Sequence, residues 1–310
     1  MSKLTRSPLT GEWVVYAPRR GRRPIHYGKI EGCPFCPGNE YATPPAKLLY
    51  VRSSDGSIHR FKDGDGGRRS DWIVRVFDNL YPIFSDSPES VYGYHEVLVE
   101  TPRHEDKPWS ISIDQQAVAI QAALERIDTM RSDPKIGYVL LFKNYGRSAG
   151  ASIEHMHMQI VASPILPPRV ESELSSYRDG CPVCMLIRES PSVVSYDDIV
   201  VVCPKASFKP YEAMVTSIEH KHDIPRTESY IEALAKALVD VMHRLRLTLG
   251  EFEFNYWLHY GLTQDHHWHI EILPKTSIWA GLELGGWIYV NTLPPNEAAD
   301  SLRRSSLQHP

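Results

Sequence analysis

The chain has 310 residues, a formal net charge of −4 and 42% hydrophobic residues. That size supports an ample core, no apolar run nears the ~18 residues of a membrane-crossing helix, and the mildly acidic balance argues against bulk nucleic-acid binding. Four of the five cysteines fall in CxxC pairs and Met1-Ser-Lys-Leu-Thr-Arg6 has no apolar signal core, so a cytoplasmic protein that uses its thiols for metal rather than disulfides is expected.

Residues 12–16 read as the first strand, and Arg19, Arg20, Arg22 and Arg23 form a basic knot before Pro24. Cys33-Pro-Phe-Cys36 follows in a Gly/Pro-rich turn, with the spacing that lets two thiolates reach one tetrahedral ion. Runs 72–76 and 94–100 predict strands, and His104 lies just beyond the second. After Ser112, residues 114–130 place apolar side chains at helical spacing. Runs 138–142 and 155–162 predict two more strands, joined by a polar loop containing Asn144, Gly146, Gly150 and Ser152 whose N–H groups could approach an anion. The last of these strands begins His155-Met-His157-Met-Gln159. Side chains alternate across a strand, so 155, 157 and 159 are expected on one face. Two imidazoles and an amide aimed at one spot are costly in a core and useful around a phosphate.

The same landmarks then recur in order. Cys181-Pro-Val-Cys184 precedes a strand-like 213–215, His220, a helical 228–249 after Thr227, and His267-Trp-His269-Ile-Glu271. Residues 99–104 align with 215–220 without a gap, and 51 residues separate His104 from His155 where 47 separate His220 from His267. A duplication explains this better than chance, and it divides the chain into halves at 1–170 and 171–310. It also predicts one metal in each half: Cys33, Cys36, His104 and His155, then Cys181, Cys184, His220 and His267. Two thiolates with two imidazoles select Zn2+. The copies differ where Gln159 becomes Glu271, because a carboxylate repels a phosphate that an amide would bind. Chemistry is therefore expected in the first half and scaffolding in the second. The tail from residue 296 predicts a short helix.

A neutral imidazole attacks phosphorus near pH 7, since its reference pKa of about 6.5 leaves an unprotonated fraction. Attack on the α-phosphorus of a nucleotide sugar releases a sugar phosphate, a leaving group that needs little acid assistance, and keeps the nucleotidyl group activated for a second phosphate. His157 is the expected nucleophile, His155 a metal ligand, and Gln159 and Ser152 the groups that meet the phosphoryl oxygens.

With these residues the chain resembles the galactose-1-phosphate uridylyltransferases, a two-half branch of the histidine-triad superfamily. The resemblance runs through Pro8-Leu-Thr-Gly-Glu-Trp-Val-Val-Tyr-Ala-Pro18, Arg20-Gly-Arg-Arg23-Pro24, Cys33-Pro-Phe-Cys36, Val76-Phe-Asp-Asn79-Leu-Tyr-Pro82, the stretch 144–159, Gly281-Leu-Glu-Leu-Gly285 and Pro294-Pro-Asn-Glu-Ala-Ala299. It implies an α+β fold of duplicated histidine-triad-like halves, an antiparallel half-barrel sheet with outer helices, in a homodimer. It implies UMP exchange between UDP-glucose and galactose 1-phosphate through a nucleotidyl-histidine at His157. Gln159 and Ser152 would contact the phosphoryl group, Asn79 and Asn144 line the nucleotide pocket, Arg20 and Arg23 approach phosphate, and Glu283 contacts the sugar. The chain departs from the family's HPHGQ in reading HMHMQ, and Ser277-Ile-Trp-Ala280 lacks a Lys-Phe pair that some members carry. Some relatives bind the second metal with a glutamate and three histidines, for which the matches are Glu173, His259, His267 and His269.

Two other readings stand beside this one. An ADP-sugar or dinucleoside-polyphosphate phosphorylase would use the same histidine with inorganic phosphate as acceptor. A non-catalytic zinc module is the distant alternative, and zinc ribbons hold their CxxC pairs about 15–20 residues apart, whereas here 145 separate Cys36 from Cys181.

Overall fold

The computed structural model describes residues 2–22, 28, 31–64 and 67–305. They form two compact units, Met1–Asp106 with Val118–Phe142 and Ser152–Ser175, and Lys107–Ala117 with Lys143–Ala151 and Ser176–Pro310. The first unit opens with a hairpin of β1 (Lys3–Arg6) and β2 (Trp13–Tyr16). Its main strands are β3 (Ala46–Arg52), β4 (Ile58–Phe61), β5 (Val74–Asp78) and β6 (Tyr94–Val99). After helix α1 (Ile113–Arg131) come β7 (Tyr138–Tyr145), β8 (His157–Ser163) and α2 (Pro168–Ser175). The antiparallel order is β4-β3-β5-β6-β8-β7.

Alternation on β6 separates two tasks. Glu96 faces α1, where Arg126 grips its carboxylate with two 2.8 Å bonds. Val97 and Val99 face the other way and pair with Gln159 and His157 of β8. There they join a core cluster of Cys33, Phe35, Leu49, Trp72 and Phe77. The chain enters β6 through Gly93, at φ +146°, where a Cβ would sit 2.2 Å from the Ala162 carbonyl oxygen. Only glycine passes so close to β8 in that conformation.

The second unit contains α3 (Pro182–Glu189), β9 (Ser192–Tyr196), β10 (Ile199–Val202), β11 (Ala213–Ser217), α4 (Glu228–Leu249), β12 (Phe254–His259), β13 (His269–Pro274), α5 (Gly281–Gly286) and α6 (Pro295–Arg304). Its antiparallel order is β12-β13-β11-β10-β9. Helix α4 buries Ile231, Leu234, Leu238, Val241, Met242 and Leu245 at helical spacing and stops at Gly250, whose φ of 75° bends the N–H back to Arg246.

The two units share a connection. Each runs through three antiparallel strands and a long helix into a strand pair, and the later strand of that pair inserts beside the third, giving β3-β5-β6-β8-β7 and β9-β10-β11-β13-β12. The α+β class implied by the family resemblance is what the chain adopts. The tail expected from 296 is α6, with 306–310 outside the described residues. Strand β8 differs from expectation by starting at His157, so His155 lies in the approach to the strand. Strands β3 and β4 escaped sequence reading. Most of β3 is buried, so Leu-Leu-Tyr-Val carries no alternation to betray it. Among the described residues no helix is long and apolar enough to cross a membrane.

Candidate active site and metal centres

In the first unit the turn 33–36 is tied by Cys36 N–H to the Cys33 carbonyl and by Asn39 Nδ2 to the same oxygen. Both sulfurs thereby face His155, whose Nδ1 lies 3.8 Å from Cys33 Sγ and 3.5 Å from Cys36 Sγ, while His104 Nδ1 is 3.4 Å from Cys36 Sγ. Zinc–ligand bonds of about 2.3 Å to sulfur and 2.05 Å to nitrogen at the tetrahedral angle put S and N about 3.6 Å apart. The cluster has that spacing, and its ligand atoms all lie within 4.8 Å of one another. A carbonyl can only accept, so His155 Nε2 carries its proton to Thr101 O at 2.8 Å and turns the Nδ1 lone pair to the thiols. Burial lowers the His155 pKa to about 4, keeping the ring neutral, and raises Cys36 to about 12, a cost that a bound cation would offset.

The second unit repeats the arrangement. Cys181 caps α3 and accepts the Cys184 N–H at its sulfur. His267 Nδ1 lies 3.6 Å from Cys181 Sγ and 3.4 Å from Cys184 Sγ, and His220 Nδ1 is 3.7 Å from Cys184 Sγ. Ser217 Oγ lies 2.8 Å from His267 Nε2, and burial lowers that ring's pKa to about 4. Both clusters have the donor chemistry and spacing to bind a metal ion.

Beside the first cluster lies a cavity of about 290 Å³ lined by Phe35, Asn79, Ser152, His157 and Gln159 among others. His157 Nδ1 donates to the His155 carbonyl at 2.8 Å, which makes Nε2 the lone-pair nitrogen, and Phe35 meets the ring edge-on at 5.2 Å. Met156 and Met158, where the family pattern has Pro and Gly, are buried at 1% and 2% exposure. They project away from His157 and fill the core.

A residue that sequence reading missed, His95, lies against both of the cavity's amides. Ile83 N–H donates to His95 Nδ1 at 3.1 Å, and His95 Nε2 meets Gln159 Oε1 at 2.9 Å. Asn79 Oδ1 accepts the Tyr81 N–H, leaving its Nδ2 3.2 Å from the same ring nitrogen. The signal was there in alternation, since 95 shares its face with 97 and 99.

The other expected residues are placed less centrally. Arg20, in the 3₁₀ turn Pro18–Arg22, donates to the Tyr81 carbonyl at 2.7 Å, and Tyr81 lines the cavity. Arg23 lies outside the described residues. Asn144 belongs to the second unit, where Asn255 Nδ2 donates to its Oδ1 at 2.7 Å. The nearby loop amides do bind an anion, but one from the chain itself: Glu253 accepts Arg147 N–H at 2.8 Å, Ser148 N–H at 2.7 Å and the Ser148 hydroxyl. Glu283 caps its own short helix, accepting Ala280 N–H at 2.9 Å, which holds its carboxyl below the usual range. The second-half counterpart of His157 repeats its backbone bond, His269 Nδ1 to His267 O at 3.0 Å, while Glu271 is taken up 3.3 Å from His259.

A family model described as galactose-1-phosphate uridyl transferase, N-terminal domain, matches residues 2–167, and a domain of unknown function (DUF4921) matches 106–308. An ADP-glucose phosphorylase from Arabidopsis thaliana is 27% identical over 98% of this chain and 93% of its own length. A galactose-1-phosphate uridylyltransferase from Thermotoga maritima is 24% identical over 99% and 100%. The crystal structure of an Arabidopsis thaliana ADP-glucose phosphorylase with bound ADP-glucose superimposes with a TM-score of 0.79 at 26% identity, covering 99% of this chain and 100% of that one.

Proposed function

Because the chain belongs to the galactose-1-phosphate uridyl transferase family, we propose that it moves a nucleoside monophosphate from a nucleotide sugar to a phosphate-bearing acceptor through a covalent intermediate on His157. Nε2 of His157 attacks the α-phosphorus, the N–P bond forms, and the P–O bond to the sugar phosphate breaks. The acceptor's phosphate oxygen then attacks the same phosphorus and restores the imidazole. The observation that carries this reading is the 2.8 Å bond from His157 Nδ1 to the His155 carbonyl, which leaves the lone pair on Nε2 in a cavity beside Gln159 and Ser152. Those two side chains supply donors for the phosphoryl oxygens.

The leading substrate pair is UDP-glucose with galactose 1-phosphate. A second reading, phosphorolysis of an ADP-sugar, is favoured by the Arabidopsis relative whose structure holds ADP-glucose. Residues 1–170 carry the chemistry and 171–310 the scaffold. Zinc held by Cys33, Cys36, His104 and His155 would fix the backbone beside His157, and zinc held by Cys181, Cys184, His220 and His267 would stiffen the second half. Leu282, Leu284, Trp287 and Ile288, each more than half exposed, support a homodimer that covers them. Arg20, Arg23, Asn79, Asn144 and Glu283 serve the nucleotide and sugar, in a cytoplasmic enzyme with neither nucleic acid nor membrane as partner.

The test is mass spectrometry after exposure to UDP-glucose or ADP-glucose. UMP or AMP on the peptide containing residue 157 identifies base and mechanism together, and release by galactose 1-phosphate or by inorganic phosphate identifies the acceptor. His157→Ala should abolish turnover while retaining both metals. Wild-type kinetics in that variant would refute the assignment.

A further inference from the structure

We propose that His95 is a positioning residue that sets which end of the Gln159 amide meets the phosphoryl group; the proposal rests on the nucleotidyl-transfer reading above. A backbone N–H can only donate, so Ile83 N–H, 3.1 Å from His95 Nδ1, requires the lone pair there and places the proton of the neutral ring on Nε2. That Nε2–H donates to Gln159 Oε1 at 2.9 Å, and the Asn79 amide nitrogen, 3.2 Å from Nε2 and a donor itself, takes no bond from it. With its oxygen held, Gln159 has only its NH2 group to offer elsewhere, and an anion is met by a donor. The two ends of an amide are nearly the same shape. A glutamine without such an anchor would present oxygen to the phosphate part of the time, at the cost of repulsion where attraction is needed.

Three further observations support the assignment. In the β6–β8 register His95 lies opposite Val161 and Val97 opposite Gln159, so residues 95 and 159 are diagonal neighbours on one face. His95 is 1% exposed, and its carbonyl accepts the Asn79 N–H at 2.7 Å, so the ring and the second amide of the cavity share one backbone frame. The duplication supplies an internal control. Val97 lies opposite Gln159 and Met214 opposite Glu271, so by pairing register the position of His95 holds Glu212 in the second half, and that of Gln159 holds Glu271. The pair is lost together in the half assigned no chemistry.

The experiment is a double-mutant cycle read on the rate at which nucleotide appears on residue 157 in single-turnover mixing with UDP-glucose or ADP-glucose. His95→Leu should slow nucleotidylation by up to about 10²-fold, the scale of one misaligned oxyanion donor. In a Gln159→Ala background the same change should matter less than about twofold, because the residue through which it acts is gone. His95→Gln, which keeps an N–H near the position of Nε2, should recover most of the rate. A purely structural role predicts the opposite, an equal loss in both backgrounds, and that result or an unaffected His95→Leu would overturn the proposal. Histidine 15N NMR of the wild-type protein is an independent reading that needs no turnover: His95 must be protonated at Nε2, and protonation at Nδ1 also overturns it. A wild-type protein that takes no nucleotide from either donor refutes the function proposed above, while the NMR result still decides the orientation of Gln159.

Discussion

Replacing Arg126 by Met tests whether the clamp behind β6 is as important as its geometry implies. Its guanidinium makes two 2.8 Å bonds to Glu96, whose side chain is 1% exposed. Removing one partner of a buried pair costs about 3–5 kcal/mol, chiefly because the other charge is left without compensation. Lys47 Nζ, 3.4 Å from the same carboxylate and shared with Asp78, remains as a partial substitute. We therefore expect the low end, about 3 kcal/mol, or a fall of about 6–12 °C in melting temperature. Adding Glu96→Leu should restore stability to within about 1 kcal/mol of wild type, since apolar residues of similar volume commonly replace such pairs at little cost. Urea and thermal denaturation of the two variants check both numbers. A single variant within 1 kcal/mol of wild type, or a double variant no better than the single, would refute the reasoning. Nucleotidylation should also slow in Arg126→Met, because the opposite face of β6 holds His95 and the partners of Gln159 and His157.

Cys36→Ala, or prolonged treatment with a strong chelator, should release metal from the first cluster and lower the melting temperature, read by elemental mass spectrometry and calorimetry; an unchanged melting curve after full metal loss would exclude a structural ion. Burial pushes the Glu253 carboxyl up, but the Ser148 hydroxyl and the Ser148 and Arg147 N–H groups outweigh it and hold the group below the usual carboxylate range. Its folded pKa being depressed, the loop stabilisation is present above the unfolded value of about 4.3 and lost as pH falls through the folded one. Hydrogen exchange at residues 147–148 should therefore stay slow at pH 5 and 7, relative to intrinsic rates, and lose protection only under stronger acid. Gly146→Ala should remove that protection at every pH, since a Cβ there would lie 2.2 Å from Glu253 Cγ at a φ of +92°; a protected loop in this variant would contradict the clamp.

The duplication was legible because it is written in local, repeated chemistry. CxxC, a lone histidine and HxH in the same order twice need no tertiary information, and the metal-ligand sets that this pattern joins do converge in the structure. Helices α1 and α4 were equally plain, since each buries one face and leaves the other polar. Strand β3 was not, because burial on both faces removes the alternation by which a strand is read. The placement of His155 ahead of β8 was also beyond the sequence: alternation would put 155 with 157 and 159, but a bond to the Thr101 carbonyl turns its ring to the thiols instead.

Residue types and their spacing thus determined on their own that the chain has two related halves, each with a donor set able to hold a metal ion. Only the tertiary structure decided how individual polar groups are used. The loop amides at 147–148 are satisfied by Glu253, 105 or more residues away in sequence, and Gln159 takes its orientation from a histidine 64 residues upstream. Hydrogen-bond direction depends on which lone pair or proton a neighbour presents, and those neighbours become neighbours only when the strands pair.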